Sequence, residues 1–141
     1  MRTMIPAVLA IILAGCGPMK PTKFFEGFDL EPVLRKVCSG SDYRIEEVAK
    51  GRSETNSVVG MQFKYMVVSE SADATAVMTS VRSEIQTLIG KKVWGESQFK
   101  GNFSADFSFD YDFEGKKGFV NGVFVRVAKG VYVVINVRET R

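Results

Sequence analysis

Phe103-Ser104-Ala105-Asp106-Phe107-Ser108-Phe109-Asp110-Tyr111-Asp112-Phe113 is the stretch whose reading decides the fold. Aromatic or small apolar residues alternate with serine and aspartate along its whole length. Successive side chains of a strand point to opposite faces, so this alternation marks a strand with one buried face and one wet face. The chain downstream keeps the pattern. Gly115-Lys116-Lys117-Gly118 reads as a turn, Phe119–Val127 as a strand, and Ala128-Lys129-Gly130 as a second turn. Val131, Val133, Ile135 and Val137 then mark a last strand. Connections this short join antiparallel neighbours, which predicts a three-stranded meander.

Upstream, Val59, Met61, Phe63, Tyr65 and Val67 alternate with Gln62 and Lys64, which predicts a further strand over 58–68. Ala74, Val77, Met78, Val81, Ile85, Leu88 and Ile89 fall on one helical stripe. Asp73 or Ser71 suits its N-cap, and Gly90 its stop. A shorter helix over about 30–38 follows Asp29, with Leu30, Val33, Leu34 and Val37 on its apolar side. Residues 43–50 fit a strand that hairpins through 51–57, with a helical turn as the alternative. The segment holding Trp94 and Gly101 reads as a loop. The expected architecture is therefore α+β in two layers. An antiparallel sheet of four or five strands carries the long helix (about 73–89) and the shorter N-terminal helix (about 30–38) on one face.

The N-terminus has a different character. Arg2 precedes an apolar run, Met4–Leu13, that ends in small residues and a cysteine. A positive end, an apolar middle and a small-residue zone make a secretory signal. The run is far shorter than the roughly 20 residues a membrane-spanning helix needs. Leu13-Ala14-Gly15-Cys16 resembles the lipobox of bacterial lipoprotein precursors. That resemblance implies cleavage between Gly15 and Cys16, a diacylglyceryl group on the Cys16 sulfur, and acylation of the new N-terminus. One acyl chain holds only marginally, and two or three hold firmly. Gly17 rather than Asp after the cysteine leans, by the same resemblance, toward an outer membrane facing the periplasm where the host has one. The expected division is a signal peptide at 1–15, a lipidated tether at 16–23 rich in proline and lysine, and one α+β domain at 24–141.

Composition narrows the chemistry. The chain has 19 basic and 16 acidic residues and a net charge of +3, so nothing favours nucleic acid as a partner. It has no histidine, which excludes Ser-His-Asp and Cys-His catalysis. Its two cysteines are Cys16 and Cys38, too few for a cysteine zinc site. With Cys16 acylated, Cys38 has no partner in the chain. Its place on the apolar stripe reads as a buried, inert thiol, the alternative being a reactive or intermolecular one.

Asp106, Asp110 and Asp112 share one strand face, about 7 Å apart at alternate positions. They are weak metal candidates, because a strand lacks the curvature of a calcium loop. The plainer reading is a solvated face that pairs with Arg126 and Arg138. The same carboxylates could serve as a glycosidase acid and base, but an open sheet face gives no means of raising one pKa. Ser97-Gln98-Phe99-Lys100 matches S-x-x-K without the companion motifs of that chemistry. Gly90-Lys91-Lys92 and the 115–118 turn lack the pattern of a phosphate loop. Phe24, Phe25 and Phe28, and separately Trp94, are candidate partner contacts, with core packing as the alternative for each.

The reading that follows is a membrane-anchored envelope lipoprotein acting as a non-catalytic binding or accessory module, without a cofactor. Its partners are the membrane, through the lipid anchor, and another envelope component, expected to be a protein. The contact is expected at the edge of strand 131–138 or 58–68, together with the Trp94 loop. The alternatives are a small-molecule or lipid-binding lipoprotein, using a groove between helix and sheet, and a small hydrolase using carboxylates.

Overall fold

The computed structural model describes residues 27–40, 42–90 and 92–140. The signal, the lipobox with Cys16, the tether, Phe24 and Phe25 lie outside the described residues. The elements in chain order are α1 (Leu30–Val37), β1 (Arg44–Glu54), β2 (Val58–Val68), α2 (Ala74–Ile89), β3 (Val93–Lys100), β4 (Ser104–Phe113), β5 (Lys116–Val127) and β6 (Gly130–Thr140). The six strands form one sheet in the order β1-β2-β6-β5-β4-β3, antiparallel throughout. After the β1–β2 hairpin, α2 crosses the sheet to the far edge. The meander β3-β4-β5-β6 then returns until β6 pairs with β2.

The α+β class stands, but the expectation of four or five strands beneath a dominant helix is corrected. A single six-stranded sheet makes up most of the described chain, and two helices accompany it. The strand beyond the expected five is β3, where the sequence reads as a loop; β1 agrees with the strand reading of 43–50 rather than the helical turn, and runs on to Glu54. Both lie at sheet edges, and most of their residues are exposed. β3 also carries an irregularity between Trp94 and Ser97. An extra residue there breaks the two-residue alternation that identifies a strand.

The helix ends follow local rules. Asp29 accepts a hydrogen bond from the Glu31 amide and Asp73 one from the Thr75 amide, so each caps its helix. One sheet face is closed by α1 and α2. Phe63, Tyr65, Phe107, Phe109, Tyr111, Phe124 and Ile135 meet Leu30, Leu34, Met78 and Ile85 there, each at most 1% exposed. Burying each of these large side chains contributes about 1.5–3 kcal/mol. Leu88, assigned to the buried stripe by spacing, is instead 49% exposed. Phe103, expected as the first inward residue of β4, precedes the strand and is 73% exposed. Among the described residues no helix is long and apolar enough to cross a membrane.

Candidate functional site

The sheet positions the expected site residues differently from the sequence reading. Strand 131–138 lies inside β6, between β2 and β5, and strand 58–68 lies between β1 and β6. Neither is an edge, so neither offers free backbone groups to a partner. The true edges are β1 and β3. Trp94 lies on β3, opposite Asp110, and is 47% exposed. Phe99, on the same strand opposite Asp106, is 54% exposed. Phe103 follows in the short connection to β4, so three exposed aromatic side chains come from one sheet margin. Phe28, by contrast, packs edge-on against Phe63 at 5.3 Å and is part of the core margin rather than a free contact.

Local contacts fix the shape of this margin. Gly95 has φ +64, in the left-handed region that L side chains rarely adopt. A Cβ there would lie 2.8 Å from an Asp110 carboxylate oxygen. Glu96 accepts hydrogen bonds from Arg82 and, at 3.0 Å, from the Gln86 amide, both on α2. The bulged part of β3 is thereby fastened to the helix layer. The Lys117 ammonium lies 5.6 Å from the centre of the Trp94 ring, a cation–π contact that orients the indole.

The acidic row does not converge on a site. Asp112 accepts a hydrogen bond from the Gly115 amide at 3.1 Å and so braces the β4–β5 turn. Among the described residues no three of His, Cys, Asp and Glu are grouped to hold a metal ion. The arginines expected to pair with this row are engaged elsewhere. The Arg126 guanidinium donates to the carbonyls of Val127, Gly130 and Glu70, which ties the β5–β6 turn to the β2–α2 loop. Arg138 lies over the Phe119 ring, 5.0 Å from its centre.

The layer between helices and sheet is filled by buried aromatic and aliphatic side chains, and at its margin an apolar groove of about 310 Å³ lies between Pro32 and Val33 of α1, Leu88 of α2 and Phe113 of β4. A cleft of about 780 Å³ opens at the surface between Arg44, Glu70, Arg126 and Lys129. Arg44 and Lys129 both pair with Glu46, which lowers the cationic character of that cleft. Cys38 is free and buried at the end of α1, and burial pushes its thiol pKa up, away from the reactive thiolate.

The fold and the margin define a two-layer α+β domain with one packed sheet face, one bare sheet face and an aromatic edge. No family model matches the chain, and no curated protein matches it. A solved structure described as LpqN, involved in cell envelope biogenesis of Mycobacterium tuberculosis, is similar over 72% of this chain, with 16% identity and a TM-score of 0.41. The chain spans 66% of that structure's length, just under two thirds. At this level of likeness no activity or residue role passes from one to the other.

Proposed function

We propose that this chain is an envelope lipoprotein, held by acyl groups on Cys16, that acts by binding another envelope component rather than by catalysis. The contact is the β3 edge with Trp94, Phe99 and Phe103. The observation that carries this reading is the contrast between the two sheet edges. β1 presents Arg44, Glu46, Glu47, Lys50, Arg52 and Glu54 along its length, a charged edge of the kind that discourages strand pairing. β3 has only Glu96 and Lys100 as charged residues, and Glu96 is held by Arg82. An edge with exposed aromatics and few charges is suited to an added strand, whose backbone bonds give affinity and whose side chains meet the rings.

In-cell crosslinking of the full-length lipoprotein, followed by capture and mass spectrometry, tests the reading. One dominant partner is expected, reduced in a Cys16→Ser control and lost when Trp94, Phe99 and Phe103 are replaced by serine. The same partner at unchanged yield in the serine variant refutes the surface. No enriched partner at all refutes the function.

A further inference from the structure

The bare face of the sheet has a symmetry that the β3 edge does not explain. One cross-strand row reads Asp106 (β4), Val123 (β5), Val134 (β6), Lys64 (β2). Among the described residues neither Asp106 nor Lys64 makes a salt bridge. Three strand spacings, about 14 Å, separate them, too far to pair within one chain. The next row reads Ser108, Asn121, Asn136, Gln62 over the same four strands, uncharged and polar, with the Gln62 amide donating to Asn136 Oδ1 at 2.9 Å. Both rows are centred on the boundary between β5 and β6.

We infer that a second copy of this chain docks on this face, sheet against sheet, about a two-fold axis running along the strands between β5 and β6. That operator places β4 of one copy over β2 of the other and β5 over β6. Asp106 then meets Lys64 of the second copy, twice, and Val123 meets Val134. Val123 is 37% exposed in the single chain, an apolar position that this arrangement covers. The amide row meets its own reverse. A two-fold axis across the strands would instead bring aspartate over aspartate. Self-complementarity under one operator and repulsion under the other is what an isologous interface requires.

The area suffices. From strand spacing and rise, the four central strands offer a plane of about 600 Å² and all six about 950 Å². A standard interface buries about 800 Å² per partner. Facing sheets cross at about 30° because each is twisted, so the corner strands β1 and β3 diverge from the contact. The axis along the strands also keeps Gly27 of both copies at one end, so two chains anchored in one membrane can dock. This last point alone rests on the lipid-anchor reading.

The test is native mass spectrometry and sedimentation of the full-length protein in detergent. A species of twice the protomer mass is expected. Asp106→Lys alone and Lys64→Asp alone each weaken association at least about tenfold, because each places like charges in both symmetric contacts. Together in one chain they restore the pairing and bring association back to near the native level. A protomer at every concentration overturns the inference. So does a dimer indifferent to all three variants, or a single variant that the double one does not rescue. A different protein bound at this face in place of the second copy also overturns it. Capture at the β3 edge is read with the serine variants, so either proposal can fail while the other stands.

Discussion

Replacing Gly118 by alanine tests how β5 is fitted to its neighbour. Gly118 lies directly opposite Tyr111 in the β4–β5 register. A Cβ at Gly118 would sit 2.2 Å from Cζ of Tyr111, 2.3 Å from Cε1 and 2.4 Å from the phenol oxygen. Carbon atoms in contact prefer about 3.5–4.0 Å, so the ring must retreat by more than about 1 Å. It has nowhere to go without disturbance, since Tyr111 is 0% exposed and its hydroxyl donates to the buried Glu139 carboxylate at 3.2 Å. Overpacking of this kind costs about 1–3 kcal/mol. Losing the hydrogen bond outright leaves a buried acceptor unsatisfied and adds about 1–3 kcal/mol. The reduced freedom of the unfolded chain returns about 0.4–1 kcal/mol. The net expectation is a loss of about 2–4 kcal/mol, or about 8–16 °C in Tm at roughly 4 °C per kcal/mol for a domain of this size. Urea unfolding followed by near-ultraviolet circular dichroism measures it. In a Tyr111→Leu background the cost of Gly118→Ala is expected to fall below about 1 kcal/mol, because the obstructing ring is gone. A Gly118→Ala protein within about 0.5 kcal/mol of the parent refutes the reasoning, as does an unchanged cost in the leucine background.

Stability is expected to respond to alkaline pH through two buried tyrosines. Burial pushes the Tyr65 phenol up to about 12, against the lowering effect of Lys50 and with help from its hydrogen bond to Glu47. Burial and the adjacent Glu139 carboxylate push Tyr111 higher still. The unfolded chain releases these protons first, so their contribution is intact below about pH 10 and is lost as pH rises through 12. Tyr65→Phe is expected to flatten that decline in urea midpoints measured from pH 8 to 12, and an equally steep decline counts against the assignment. Arg126→Met is expected to cost about 2–3 kcal/mol, because a charged donor to three backbone carbonyls is removed. Hydrogen exchange should quicken at the β5–β6 turn and the β2–α2 loop, and unchanged exchange there would show that the guanidinium does not hold them together.

Alternation and spacing in the sequence determined the pieces that bury one face. Phe107, Phe109 and Tyr111 made β4 legible, Phe63 and Tyr65 made β2 legible, and Asp29 and Asp73 marked helix starts that their side chains do cap. These are local signals, since a buried face imposes its period on neighbouring residues whatever the partner. The edge strands left less: Tyr43 and Ile45 pointed to β1 without excluding a helical turn, and β3 reads as a loop. β1 and β3 are mostly exposed, and the irregularity between Trp94 and Ser97 removed the remaining alternation from β3. The order β4-β5-β6 was legible from its short turns, whereas the pairing of β6 with β2 joins residues far apart in sequence and depends on α2 crossing the sheet. The tertiary structure alone decided that strands 58–68 and 131–138 are interior, that Trp94 stands on a free edge, and that Asp106 and Lys64 share one row. Composition and the run ending at Cys16 spoke to chemistry and address. Which backbone edge is unpaired and which charges are left facing solvent follow only from long-range pairing.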